Sequence, residues 1–181
     1  MNGFRMLALA TGLAAVVVLA PSSARAETTI TDANDAVARL RKVEPGLKRF
    51  FEKSAGYVVF PEIAKGGFIV GGAGGSGYLF EKGKAVGKAT LSQATVGAQI
   101  GGQAYIEIIF FENAEALEGF KKGEWTMAAQ VSAVAVTAGA AKNASYNHGV
   151  AVFTLIKGGA MAEASVGGQK FSYEPLGAKK K

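Results

Sequence analysis

The sequence predicts an α+β domain: a glycine-rich, strongly coiled antiparallel β-sheet or small barrel, with amphipathic helices at its N-terminus and one inserted helix. Two observations support this prediction. From Gly56 onward, Val, Ile, Phe and Tyr recur in runs of about five to eight residues separated by glycine and charged turns. Many of the 25 glycines lie inside these runs. Glycine weakens a strand, so its repeated use indicates sharp coiling, bulges or close approach of two layers.

The segment before the strands has helical periodicity in two pieces. Asp32 is predicted to cap a helix over 33–43, whose apolar residues fall within an arc of about 120°. Pro45 ends this pattern or opens a second helix as its first residue. Phe50 and Phe51 lie on the apolar face of the second piece. The opposite side of the pair is basic.

The strand predictions follow the apolar runs. We expect strands near Tyr57–Phe60, Gly67–Gly71, Gly75–Phe80, Ala85–Gln93, Val96–Gly101, Ala104–Phe111, Met127–Thr137, Gly149–Ile156, Ala160–Val166 and Gln169–Tyr173. A helix from about Asn113 to Lys121 interrupts them, with Leu117 and Phe120 as its buried pair. The segment 81–84 is predicted to be a hairpin turn in which Gly83 has positive φ.

Residues 1–26 have the composition of a secretory signal peptide. Arg5 precedes an uncharged apolar run over Met6–Ala20, and a small-residue site ends at Ala26. The run is shorter than the roughly 20 residues that span a bilayer. We expect cleavage after Ala26 and an exported protein, periplasmic or secreted, free or peripheral to a membrane. A single domain over 27–176 and a basic disordered tail over 177–181 would remain.

The charge balance favours an anionic partner. The full chain carries a net charge of +6, and removal of 1–26 leaves 18 basic and 14 acidic side chains. Such an excess suits phospholipid or nucleic acid. The chain has no cysteine, which excludes disulfides, thiol catalysis and thiolate metal sites. No cluster of histidines and carboxylates suggests a metal site, so neither a metal nor a cofactor is expected.

Motifs of catalysis are weak in this chain. The stretch 72–77 spells G-x-G-x-x-G, but a strand and a hairpin turn follow it, whereas dinucleotide binding requires a helix. His148 is the single histidine, and both aspartates, Asp32 and Asp35, lie in the predicted N-terminal helix, far along the chain from it. The sequence therefore does not indicate a Ser-His-Asp catalytic triad. We interpret His148 as a surface turn residue. A paired-carboxylate hydrolase stays open, although no spacing favours it.

Three ordered motifs carry a family resemblance. They are Ala55–Pro61 (AGYVVFP), Lys65–Gly72 (KGGFIVGG) and Val96–Gln103 (VGAQIGGQ). The chain resembles the SYLF domain family over about 36–173, in its bacterial exported branch; the family is also known from yeast actin-patch proteins. The resemblance implies a module that binds acidic phospholipids. The hairpin over 81–87 lacks a Trp-Ser-x-Pro stretch that many relatives carry, so no ligand contact is carried over there.

The sequence therefore predicts a non-enzymatic domain that binds acidic phospholipid surfaces in the cell envelope, with no nucleic-acid partner. Export makes actin an unlikely partner, and the oligomeric state is undetermined. The predicted lipid-binding residues are Arg39, Arg41, Lys42, Lys48, Arg49, Phe50, Phe51, Lys53 and Lys65. Two versions stay open, because Phe50 and Phe51 either insert into the membrane or pack in the core. The alternative function is an envelope structural or host-interaction protein, an antigen, without lipid binding.

Overall fold

The structure is a computed structural model that describes residues 27–68, 70–96, 101–123, 133–159 and 168–177. The predicted signal peptide, the strand predicted at Ala160–Val166 and the basic tail from Ala178 lie outside these residues. So do parts of the strands predicted at Val96–Gly101 and Met127–Thr137. The remaining predictions fall on the described part of the chain.

Two helices and a 3-10 turn precede the sheet. Helix α1 spans Ile30–Val43, a 3-10 turn spans Pro45–Leu47 and helix α2 spans Lys48–Lys53. The predicted cap at Asp32 is wrong, because Thr29 is the cap. The Asp32 backbone N–H donates to the Thr29 hydroxyl at 3.1 Å, and the Asp32 carboxylate accepts from the Thr29 backbone N–H at 2.7 Å. Asp32 is thus the third helical residue of a capping box.

The described residues contain seven strands, which form one mixed sheet. They are β1 Gly56–Phe68, β2 Val70–Glu81, β3 Lys84–Val96, β4 Gly101–Phe111, β5 Ala133–Ala135, β6 Val150–Gly159 and β7 Gln169–Pro175. Their order is β5-β6-β4-β1-β2-β3-β7. Neighbours pair antiparallel except β5 and β6, which are parallel. The sheet is coiled but not closed, so the barrel alternative is wrong, and the α+β class is confirmed.

The local predictions are mostly confirmed. Helix α3, Ala114–Lys121, has Asn113 as its cap, and Leu117 and Phe120 are buried. In the β2–β3 turn, Lys82 and Gly83 have φ of 49° and 77°. The two positive values suit the twist of a hairpin. The strand predicted at Gly67–Gly71 is wrong, because Phe68 pairs with Val70 and the chain reverses there.

The sheet curls until strands far apart in its order meet. Strands lie about 4.8 Å apart, so a flat sheet would separate β4 from β7 by about 19 Å. The Gln169 amide on β7 nevertheless lies 3.0 Å from the Glu107 carboxyl on β4. The ring centroids of Phe60 on β1 and Phe171 on β7 are 5.9 Å apart. The curl encloses an interior core that α3 covers at one end.

Glycines allow this curvature at identifiable contacts. A Cβ on Gly77 would lie 2.2 Å from the carbonyl oxygen of Val59, and a Cβ on Gly87 would lie 2.1 Å from the Tyr173 ring. No side chain fits at such distances. Register shifts interrupt β1 near Pro61, where its pairing with β2 and β4 is irregular. Close approach and bulges, as predicted, account for glycine inside the strands.

The outer face of the sheet is covered by the N-terminal helices. Leu40 of α1, Leu47 of the 3-10 turn and Phe50 of α2 are buried against Phe80 of β2 and Phe110 of β4. This packing uses the apolar side of both helices. It leaves their other side facing solvent.

A polar row crosses the interior face. Register pairs join Gln103 to Lys65, Lys65 to Ala73, Ala73 to Gln93 and Gln93 to Gln169. Directly opposed residues project to the same face. The four polar members are each no more than 5% exposed. Lys65 is 4% exposed, which corrects its assignment to a lipid-binding surface.

Candidate functional site

The solvent-facing side of α1 and α2 carries six basic side chains, which we call the basic face. Its members are Arg39, Arg41, Lys42, Lys48, Arg49 and Lys53, and all are exposed. Lys48 forms a salt bridge of 2.5 Å with Glu52, four residues later on the same helix. Both partners are largely exposed, so the pair contributes at most about 1 kcal/mol and leaves Lys48 accessible.

The structure places both phenylalanines on the sheet. Phe50 is 3% exposed, and its ring centroid lies 4.9 Å from Phe153 and 5.5 Å from Phe110. Phe51 is half-buried, 4.8 Å from Phe110, with the Arg41 guanidinium 4.0 Å above its ring. Neither ring is free to enter a bilayer in this arrangement. The insertion version of the hypothesis is therefore wrong for Phe50 and unsupported for Phe51.

Arg49 holds a distant loop in place. One terminal nitrogen of its guanidinium donates to the carbonyl oxygens of Ala141, at 2.5 Å, and Ala144. The guanidinium carbon also lies 4.7 Å from the centre of the Phe50 ring. Nearby, the buried carboxylate of Glu44 accepts the backbone N–H of Ala141 at 3.4 Å. Arg49 thus has a structural role. The sequence analysis assigned it to lipid binding instead, because its hydrogen-bond partners lie more than 90 residues away along the chain.

Sequence reasoning also missed a groove between α2 and this loop, which we call the α2 groove. Its volume is about 340 Å³. The lining residues are Arg49, Phe50, Lys53, Glu112, Ala144, Ser145 and Tyr146. The Tyr146 hydroxyl has no hydrogen-bond partner among the described residues. Burial raises the pKa of Tyr146, the Glu112 carboxylate raises it further and Arg49 opposes the shift.

A larger depression, about 660 Å³, lies beside α3. It contains His148, which is exposed in a turn with φ of 52°, as the surface-turn interpretation predicted. The Asn113 side chain at its edge is already used as a cap, accepting the Ala116 backbone N–H at 2.9 Å. Nothing in this set aligns a nucleophile with a base.

Three features of the described residues bear on the class of site. Within these residues, no group of three or more histidine, aspartate and glutamate side chains is placed to hold a metal ion. The helices of the described segments are all too short or too polar to cross a bilayer. The stretch 72–77 lies within β2 and continues as a strand, so the dinucleotide fingerprint lacks its helix.

Comparison with known proteins gives the site its context. Residues 92–175 match the Ysc84 family, described as Las17-binding protein actin regulator. Beta cell expansion factor A from Aeromonas veronii is 30% identical over 144 residues, which are 78% of this chain and 54% of that protein. The chain therefore spans about half the length of this relative. The chain is thus similar to the SYLF (Ysc84) family over residues 92–175, and the three motifs and the α+β fold agree with that similarity.

Proposed function

We propose that this protein is a non-enzymatic domain that binds acidic phospholipid surfaces of the cell envelope through its basic face. The observation that carries the proposal is the commitment of both helices to the sheet. Their apolar residues Leu40, Leu47 and Phe50 are buried against the sheet, so the outward side is left polar, with six exposed cations against the exposed Asp32, Asp35 and Glu52. Similarity to a family of binding domains supports the same conclusion.

The expected binding is electrostatic and weak. Each Lys or Arg near an anionic leaflet contributes about 1 kcal/mol. Without Arg49, which is engaged with the loop, five members of the basic face remain, and their sum is about 5 kcal/mol. Binding of about 5 kcal/mol corresponds to a dissociation constant of about 0.2 mM. One domain should therefore bind reversibly, and ionic strength should control its attachment.

Flotation with liposomes tests the proposal. We expect the protein with residues 1–26 removed to float with phosphatidylglycerol vesicles at low salt, and to be released at about 0.5 M salt because screening weakens exposed charge contacts. The decisive variant reverses Arg39, Arg41, Lys42 and Lys48 to glutamate. These residues are exposed and, unlike Arg49, do not hold the loop, so the fold should persist.

A matched control separates the basic face from net charge. Reversal of Lys82, Lys84, Lys122 and Lys170 to glutamate changes the total charge equally, and all four are exposed residues outside α1 and α2. We expect this control to retain most flotation and the basic-face variant to lose it. Equal flotation by both variants would assign binding to another surface.

The envelope location is part of the proposal and rests on the signal-like residues 1–26. Its test is N-terminal sequencing of the exported pool, where Glu27 is expected as the first residue. Retention of Met1 in that pool would overturn it. An exported domain does not meet cytosolic actin, so actin regulation is not proposed for this chain.

A second candidate follows from the relative named Beta cell expansion factor A. That name favours a host-interaction role for the relative. Because this chain is 30% identical to it, we consider the same role for this chain. Flotation distinguishes the candidates. If the protein is secreted and does not bind anionic vesicles at low salt, the host-interaction role without lipid binding is favoured.

A further inference from the structure

The α2 groove contains charges of both signs that do not pair with each other. Arg49 and Lys53 are four residues apart on α2 and so lie on one side of the helix. Glu112 follows the end of β4 and also lines the groove. Among the salt bridges of the described residues, none joins Glu112 to either cation. A ligand that carries both charges could satisfy both sides.

The groove is also partly organised in advance. Arg49 is fixed by the carbonyl oxygens of Ala141 and Ala144, and the Tyr146 ring packs edge-on against Phe50 at 5.4 Å. Fixed walls reduce the entropy lost when a ligand is ordered. The Tyr146 hydroxyl is covered and lacks a partner among the described residues. A buried hydroxyl without a partner is unfavourable, and a ligand oxygen would supply the missing hydrogen bond.

The size of the groove limits the ligand. Sites for drug-sized molecules occupy about 300–1,000 Å³, and the α2 groove, at about 340 Å³, is at the small end of that range. It suits a group of a few heavy atoms. Such a group would be a headgroup without its acyl chains.

The charge arrangement selects among small groups. A simple phosphate would approach Arg49 and Lys53 but also the like charge of Glu112. A simple ammonium would approach Glu112 but meet two cations. We propose that the α2 groove binds a phosphoethanolamine group, with the phosphate at Lys53 and Tyr146, in the positive field of Arg49, whose Nη2 already holds the loop, and the ammonium at Glu112. The Tyr146 hydroxyl is covered in this arrangement, so its contact with a phosphate oxygen requires the groove to adjust when the ligand binds.

This inference deepens the proposed function, on which its membrane setting rests. Arg49 and Lys53 belong to both the basic face and the α2 groove, so a domain resting on a bilayer brings the groove to the level of the headgroups. The basic face would supply attraction to any anionic surface. The groove would add preference for a phosphoethanolamine lipid within it.

Soluble probes test the groove without a membrane. O-phosphoethanolamine, inorganic phosphate and ethanolamine are titrated separately into the protein at constant ionic strength, with binding followed by NMR chemical shifts. We expect O-phosphoethanolamine to bind at least about tenfold more tightly than either fragment, since each fragment loses one charge contact. Equal affinities for phosphate and O-phosphoethanolamine would overturn the inference.

Two variants test the assigned roles. Glu112→Gln should abolish the preference for O-phosphoethanolamine over phosphate, whereas Glu174→Gln, exposed on the far edge strand, should leave it unchanged. Tyr146→Phe keeps the ring against Phe50 and should weaken O-phosphoethanolamine binding about two- to tenfold. Circular dichroism confirms that each variant is folded. Wild-type preference in the folded Glu112→Gln protein would overturn the inference.

Vesicles separate the lipid headgroup from the free molecule. Flotation is compared for vesicles with the same phosphatidylglycerol fraction, in which the remaining lipid is either phosphatidylcholine or phosphatidylethanolamine. We expect stronger binding with phosphatidylethanolamine, lost in Glu112→Gln. Binding to both mixtures equally, with no O-phosphoethanolamine affinity, would overturn the groove site and leave the proposed function standing. O-phosphoethanolamine affinity without any vesicle binding would support the groove site for the free molecule and overturn the membrane function.

Discussion

The side-chain amide of Gln169 donates a hydrogen bond of 3.0 Å to the carboxyl group of Glu107, although three strands separate β7 from β4 in the sheet. This bond crosses the interior of the curled sheet. Glu107 is 0% exposed, and burial raises the pKa of its carboxyl group to about 7, against the opposing effect of the Gln169 bond. Other ionisable groups on this interior face include Tyr105 on β4, Lys65 opposite Gln103 and the partly buried Tyr173 on β7.

The Glu107 carboxyl predicts a pH-dependent stability. The pKa of this carboxyl group is higher in the folded protein than in the unfolded chain. Its contribution to the free energy of unfolding is therefore fully present below about pH 4.5, where the group is protonated in both the folded and the unfolded protein, and is lost as the pH rises to about 7. The loss should approach about 3 kcal/mol, since one pKa unit corresponds to about 1.4 kcal/mol. Denaturant titrations of wild type and Glu107→Gln between pH 5 and 8 measure it. The variant should lack this fall, and parallel pH curves for the two proteins would contradict the assignment.

Phe50 is predicted to be a core residue and not a membrane anchor. Phe50→Ala should lower the free energy of unfolding by about 3–5 kcal/mol, because it leaves a cavity among Phe110, Tyr146 and Phe153. Urea unfolding measures this loss. Flotation of the folded fraction should be unchanged at low salt. Lost flotation with an unaltered unfolding midpoint would instead identify Phe50 as an inserting residue.

Gly77 should tolerate no side chain. Gly77→Ala places a Cβ 2.2 Å from the Val59 carbonyl oxygen, and we expect a loss of about 1–3 kcal/mol from the forced backbone shift. Gly158→Ala is the matched control, because nothing lies within 4 Å of its added Cβ. Thermal unfolding of the two variants should show a clear fall for Gly77→Ala alone. Similar melting temperatures would show that the sheet yields at this contact.

Arg49 is predicted to act on the loop more than on lipid. Arg49→Lys keeps the charge but loses the terminal guanidinium nitrogen that donates to both the Ala141 and Ala144 carbonyl oxygens. Hydrogen exchange should speed up in 140–146. Low-salt flotation should stay within about twofold of wild type, because the number of cations is the same. Unchanged hydrogen exchange in residues 140–146 would contradict the assignment of Arg49 to holding this loop.

Several features of this protein were determined by the sequence alone. Local patterns predicted α1, α2 and α3, most strands and the hairpin at Gly83, because capping, periodicity and turn preferences depend on neighbouring residues. The same patterns placed charge on the outer side of the N-terminal helices, where the structure also has it.

Tertiary structure alone decided the rest. The burial of Lys65 and Phe50 could not be predicted, since an amphipathic pattern does not say what covers its apolar face. The Thr29 cap is different, because it is a local feature that the sequence could have predicted. The hydrogen bond from Arg49 to Ala141 joins residues 92 positions apart, and the bond from Gln169 to Glu107 joins residues 62 positions apart. Such contacts depend on how the sheet curls. That curvature arises from many small steric limits along several strands, so it is a property of the assembled sheet and of no single segment.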